Sequence, residues 1–157
     1  MTARLGWLAF SVALVVYVLS LSPNVNFWDT GEMQTVPYML GIAHPTGFPL
    51  FILAGWLFSH VVPFGTVAWR LGALSAIALA LAARAVYVLG MELGASPGTA
   101  FCGALLYALG PVVWMHGSRA EVHDFVALFS LLAITSAVRF RRSGQAPALR
   151  ATALFFG

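Results

Sequence analysis

"FPLFILAGWLFSHVVPF", residues 48–64, decides how this chain is arranged. The stretch is apolar enough to enter a bilayer, yet only 13 residues lie between Pro49 and Pro63. At ~1.5 Å per residue they cover about 20 Å, short of the ~30 Å hydrocarbon core. Pro49 suits the first position of a helix, and Trp56 and His60 suit the headgroup layer. The stretch predicts a helix lying on the membrane surface over about 49–62, and the side on which every later loop falls depends on it.

The rest of the chain reads as a membrane protein. Of 157 residues, 61% are hydrophobic and 8% charged, against ~25% charged in soluble domains. The formal net charge is +3, and all eight basic residues are arginine. So sparse a set makes no clustered basic face, which excludes nucleic acid as a partner. Cys102, the single cysteine, fits no zinc or redox spacing and reads as a small buried hydrophobe. "MTAR" and the apolar run after it have the outline of a signal peptide. The run exceeds the usual ~7–15-residue core, however, and no small-x-small cleavage site comes after it. It reads as an uncleaved crossing over 5–21, stopped by Ser22-Pro23-Asn24.

Further crossings are expected at about 67–91, 99–115 and 125–138. Gly103 and Gly110 offer points of close packing in the third. "RFRRSGQAPALR", residues 139–150, reads as a basic loop, and 151–157 as the start of a further helix. The expected fold is all-α: one polytopic transmembrane domain over 1–157, with about four crossings and a surface helix in the loop 22–66. The apolar end predicts the N-terminal part of a longer chain.

Charge asymmetry chooses between two topologies. With 48–62 on the surface, Arg4, Arg84, Arg139, Arg141, Arg142 and Arg150 fall on one side and Arg70 and Arg119 on the other. That matches the positive-inside rule; a spanning 48–62 would put the basic loop outside, against it. Asp29, Glu32, His44, Arg70, His116, Arg119, Glu121, His123 and Asp124 then share the non-cytoplasmic side. Ionisable groups at membrane level are costly and mark functional sites.

Each group also has a plainer reading. Asp29 and Glu32 are three residues apart, so on a helix they share a face and serve as base and helper, or hold a cation between them. "DTGE" equally fits a helix cap. His44, in "HPTG", reads alone as a loop histidine. Arg70 either snorkels to the interface or offers its planar guanidinium to a phosphate. "SRAEVHD", 118–124, reads as a salt-bridged loop, as part of a site shared with Asp29 and Glu32, or, with His116, as a metal site lacking any strong ligand spacing. Nothing here requires a cofactor; a divalent cation fits without being called for.

The order of these pieces resembles the GT-C glycosyltransferases, and most closely the branch that includes the transmembrane protein O-mannosyltransferases. The matching residues are "FWDTGE" (27–32), "HPTGFPL" (44–50), "WLF" (56–58), "WRLGALSA" (69–76) and "AEVHDF" (120–125). The resemblance covers residues 20–130. Thr46 replaces the second proline of that branch's H-P-P-G, and His123 stands where tyrosine is usual. The resemblance implies a transferase drawing on a polyprenyl-phosphate sugar whose lipid tail lies in the bilayer, with a protein or glycan hydroxyl as acceptor. It implies Asp29 as base, Glu32 as its support, Arg70 or Arg119 against the leaving phosphate, and His44, Glu121 and His123 around the substrates. Two other classes fit the same composition: a transporter or flippase for a lipid-linked sugar, and a non-catalytic assembly subunit. A proton-coupled transporter calls for carboxylates at mid-membrane, whereas these lie at the ends of crossings. The arginine-only basic set fits a GC-rich bacterium, hence an inner-membrane protein with its site facing outward.

Overall fold

Prolines and hydroxyls set the helix starts. Pro49, Pro97 and Pro111 each sit in the first turn of a helix, where a missing N–H leaves no bond unmade. Thr66 and Ser96 accept from the Trp69 and Thr99 N–H groups at 3.1 and 3.2 Å, caps worth about 1 kcal/mol each. In the computed structural model, which describes residues 2–156, these signals delimit an all-α chain. Its helices are α1 (Thr2–Ser20), α2 (Trp28–Met33), α3 (Pro49–Val61), α4 (Val67–Glu92), α5 (Pro97–Leu109), α6 (Pro111–Gly117), α7 (His123–Ser143) and α8 (Ala146–Phe156). A 3₁₀ turn over Pro37–Met39 precedes α3, and the described residues contain no strand.

Helices α1, α4 and α7 are long and apolar enough to cross a membrane, and α5 with α6 makes a fourth crossing if taken as one. The protein is an integral membrane protein. Half of the apolar window of α4 is buried, against 22% for α1 and α7, so α4 is the central helix. Its buried face is mostly alanine: Ala76, Ala80, Ala82 and Ala83 meet Ala13 and Tyr17 of α1 and Ala108 of α5. Small side chains let helices approach where the surrounding lipid is as apolar as the helices themselves. Helices α1 and α5 run antiparallel to α4, Gly6 facing Tyr87 and Gly72 facing Leu21, while Gly90 faces Ala100; α7 runs parallel to α4, Ser75 meeting Glu121 and Glu92 meeting Arg139. At one end Glu92 takes an ion pair from Arg139 at 2.6 Å and, through its carbonyl, a hydrogen bond from Arg142. Arg84 lies over the Trp7 ring at 4.2 Å. The opposite end carries α2, α3 and the turn between α6 and α7.

Helix α3 has 13 residues, as its two prolines require. The third crossing departs from expectation. It is not one helix over 99–115 but two, bent by 66°, because Pro111 lacks an N–H and its ring excludes the carbonyl of Tyr107 four residues back. A Cβ on Gly103 would meet nothing within 4 Å, so that glycine is not a packing point. The basic loop is also mostly helix: α7 continues through Arg139, Arg141 and Arg142 until Gly144 (φ 65°) ends it, and Arg150 lies in α8. Arginine is a good helix former, and cations suit the last turn of a helix. The final expected segment starts earlier, at Ala146, and Gly157 lies outside the described residues. Cys102 is exposed on α5 rather than buried.

The bend fixes where the polar turn between α6 and α7 begins. Gly117 closes α6 against the face of the Tyr17 ring, where a Cβ would fall 2.8 Å from the ring, and Tyr17 donates to the Ala108 carbonyl at 2.8 Å. Gly117→Ala is expected to displace that ring and destabilise the protein by about 1–3 kcal/mol. Tyr17→Phe, which loses only the hydrogen bond, is expected to cost about 1 kcal/mol. Unfolding midpoints in detergent check both; an unchanged midpoint for Gly117→Ala would contradict this packing.

Candidate functional site

Asp29 and Glu32 stand on the single short helix α2, which is fastened to the loop before it. Gln34, 1% exposed, accepts from the Asn26 N–H at 2.7 Å, and Met33 is buried beneath. Gly31 is obligatory here: a Cβ would lie 2.4 Å from the Asn26 carbonyl oxygen. The capping reading of "DTGE" does not hold. The residue before the helix is Phe27, no side chain caps it, and Asp29 lies inside the first turn, where a negative charge meets the positive end of the helix dipole. Trp28, immediately before Asp29, has φ 62°, and Phe48, after the "HPTG" turn, has φ 44°. Left-handed backbone costs a non-glycine residue roughly 1–2 kcal/mol, and such strain gathers at functional sites.

His44 meets Glu32 twice. Its N–H donates to Oε1 at 2.8 Å and its ring Nδ1 stands 2.5 Å from Oε2. The ring bond holds the Glu32 carboxyl below its ordinary range and raises the His44 imidazole above its ordinary value, since each partner favours the other's charged form. The Asp29 carboxylate is exposed and makes no hydrogen bond or ion pair with other described residues. It nonetheless belongs to the same group: one ligating atom from each of Asp29, Glu32 and His44 lies within 4.8 Å of the others.

A second group lies on the turn from α6 into α7. The Glu121 backbone is tied to α4, its N–H donating to Ser75 Oγ at 2.9 Å and its carbonyl accepting from the same hydroxyl at 3.2 Å. The Glu121 carboxylate faces Arg119 Nη2 at 3.0 Å, His123 Nδ1 at 3.2 Å and His116 Nδ1 at 3.9 Å. Thr30 of α2 reaches its Oε1 with a long contact of 3.5 Å, which makes the two groups neighbours. His116, Glu121 and His123 also bring their ligating atoms within 4.8 Å of one another. Asp124, 1% exposed, has an Oδ2 without a hydrogen-bond partner among the described residues.

Six of the seven residues singled out by sequence thus fall in two adjoining groups. Arg70 does not join them. It donates to the Ser59, Phe64 and Gly65 carbonyls at 2.8, 3.0 and 3.1 Å, tying the end of α3 to the loop before α4, and it forms no ion pair among the described residues. Ser75, Thr30 and Gln34 escaped sequence reading. The signal for Ser75 was there, a lone polar residue amid apolar neighbours; Gln34 and Thr30, inside a polar loop, carried none. An apolar groove of about 800 Å³ begins beside the second group at Val122 and Phe125, passes Phe48 and Phe51, and runs along α7 to Ala137 and the end of α8.

Known proteins add the family. Residues 29–156 match the model of the protein O-mannosyl-transferase TMEM260 N-terminal domain. The chain is 30% identical over 136 residues to protein O-mannosyl-transferase tmem260 of Dictyostelium discoideum, covering 81% of this chain and 16% of that protein. It is 31% identical over 137 residues to protein O-mannosyl-transferase TMEM260 of Mus musculus, covering 87% of this chain and 20% of that one. The chain therefore spans a fifth or less of the length of these relatives. No solved structure matches. A helical membrane bundle with "FWDTGE" and "AEVHDF" on adjoining turns, matched by the model from Asp29 to Phe156, belongs to the TMEM260 N-terminal-domain family.

Proposed function

We propose that this chain supplies the acidic site of a glycosyltransferase that moves a sugar, mannose by the relatives' names, from a polyprenyl phosphate to a protein hydroxyl at the exoplasmic face. One observation carries the reading: of two carboxylates on α2, Glu32 has both oxygens held by His44, while Asp29 beside it is exposed and has no hydrogen bond or ion pair among the described residues. A general base needs free lone pairs within reach of the proton it takes.

Asp29 removes the acceptor proton as the hydroxyl oxygen bonds to the anomeric carbon from the face opposite the phosphate. The bond from that carbon to the phosphate oxygen breaks, its electrons leave with the lipid phosphate, and the anomeric centre inverts. Glu32, fixed by His44, orients the acceptor. Arg119 stabilises the phosphate charge, as preorganised donors do, and Glu121 and His123 meet sugar hydroxyls. Arg70, committed to carbonyls, has no part. The groove along α7 suits an isoprenoid tail. Arg84, Arg139, Arg141 and Arg142 gather at the other end of the bundle, and the positive-inside rule assigns that end to the cytoplasm.

Asp29→Asn in the intact protein is expected to lower transfer by about 10²–10⁴-fold, the usual share of a general base, at unchanged expression. Glu32→Gln should lower it less. Transfer of labelled sugar to acceptor in membranes measures both, and wild-type turnover by Asp29→Asn would sink the reading.

The Glu32–His44 pair sets a pH window. With its pKa raised, His44 contributes stability fully below about pH 6.5, and the contribution fades as pH rises through the raised value. With its pKa lowered, Glu32 contributes above about pH 4.3, and loses the contribution as pH falls through the lowered value. The clamp is therefore whole in mild acid and opens on the alkaline side. NMR of ring-labelled histidine should find the His44 midpoint above its ordinary value, and Glu32→Gln should return it there. An equal midpoint in the two proteins would refute the clamp.

A further inference from the structure

Both carboxylate–histidine groups have the spacing of a cation site, but they differ in what is free to bind. In the group on α2, both Glu32 oxygens accept from His44, and the ring nitrogen that faces them carries the proton of that bond. It has no lone pair to offer. In the second group, His116 Nδ1 is shut from solvent and makes no hydrogen bond with the described residues, though it points toward Glu121 Oε1 at 3.9 Å. A buried ring nitrogen without a partner calls for a reason, and an ion is one. The His116 and His123 rings stand 5.8 Å apart, centre to centre, with Glu121 reaching both.

We propose that His116, Glu121 and His123 bind a transition-metal ion of the zinc class. Two imidazoles and a carboxylate are a ligand set of open zinc sites, which keep a further position for water or substrate. Bonds of ~2.0–2.1 Å hold such ligand atoms about 3.3 Å apart. The present spacing, within 4.8 Å, closes by rotation of His123, whose side chain is 72% exposed and free to swing. Binding exchanges the His123–Glu121 hydrogen bond for bonds to the ion, the neutral His123 ring taking the tautomer that carries its proton on Nε2 and leaves the Nδ1 lone pair for the metal. Arg119 keeps Glu121 Oε1 at 3.0 Å, the kind of outer hydrogen bond that orients a ligating carboxylate, and leaves Oε2 for the metal. Its charge cancels that of Glu121, so affinity rests on the two imidazoles. They favour zinc, cobalt and nickel; magnesium and calcium require oxygen ligands. The ion would tie the end of α6 to the start of α7. The inference rests on the transfer reading at Glu121 and His123, which meet the sugar there and would do so through the ion when it is bound; Asp29 and Glu32 lie outside its ligand set.

Calorimetric titration of the intact, chelator-stripped protein with zinc chloride tests this, with cobalt(II) absorption as a second readout. The expected result is one zinc per chain at micromolar free ion, visible cobalt bands of a four- or five-coordinate site, and no heat from magnesium. His116→Ala and His123→Ala should each weaken zinc by at least about tenfold, with His116→Gln as the milder variant if the alanine protein misfolds. His60→Ala, on α3, should change nothing. Absence of zinc binding, undiminished affinity in the His116 and His123 variants, or an equal loss in His60→Ala would overturn the proposal. No sugar donor is present in the titration, so an isotherm left intact by Asp29→Asn separates the cation site from the transfer chemistry.

Discussion

A single hydroxyl ties the polar end of this molecule to its apolar core. Ser75, 0% exposed on the alanine-rich face of α4, both accepts from the Glu121 N–H and donates to the Glu121 carbonyl. In the segment between α6 and α7, Ser118 and Arg119 donate back to carbonyls of α6 and the Val122 carbonyl accepts from α7, but Glu121 finds no backbone partner among the described residues. At this depth an unmet N–H or carbonyl costs several kcal/mol. Ser75 meets both groups of one residue, and that residue carries the carboxylate around which Arg119, His116, His123 and Thr30 assemble. The bend at Gly110–Pro111 serves the same end. It turns α6 so that Gly117 lands on the Tyr17 ring, and the chain enters the turn beside α4.

The other half of the site is fastened less deeply. Helix α2 rests on buried Met33 and Gln34, and the "HPTG" turn is fastened to it through the Glu32–His44 pair. These are short elements on a rigid support, with left-handed backbone at Trp28 and Phe48 on either side. Low local stability and stored strain suit a segment that must admit a substrate. Helices α1, α4, α5 and α7, tightly matched through alanine and glycine, suit the opposite role.

The length of α3 and the extents of α1 and α4 were legible because each depends on local rules: hydropathy over a bilayer's width, proline at a helix start, a hydroxyl cap. The nearness of "FWDTGE" and "AEVHDF" was legible from charge asymmetry, which places distant loops on one side without locating any side chain. What stayed hidden depended on contacts between elements. Arg70 looked the same in sequence whether it faced a phosphate or the carbonyls that end α3. Ser75 looked like any small residue in a packed helix. Hydropathy ran on through Gly110–Pro111, so α5 and α6 read as one crossing. The arginines after Val138 read as a loop because charge outweighed helix propensity in that reading, whereas the helix dipole made them its natural last turns.

The acids at the polar end are not equivalent, and position alone separates them. Glu121 is largely buried and its charge is answered by Arg119 at 3.0 Å; without that partner so buried an anion would be expensive. Glu32 is answered by a histidine at the surface. Asp29 makes no hydrogen bond or ion pair among the described residues, and it stands at the start of a helix, where the backbone itself favours a negative charge. A carboxylate that is already paired recognises and orients; one that is unpaired can accept a proton without first breaking a bond. The three-position spacing of Asp29 and Glu32 puts both on one short helix, and the histidine twelve positions after Glu32 makes them different. In the proposed reaction that difference, rather than the presence of two acids, names the base.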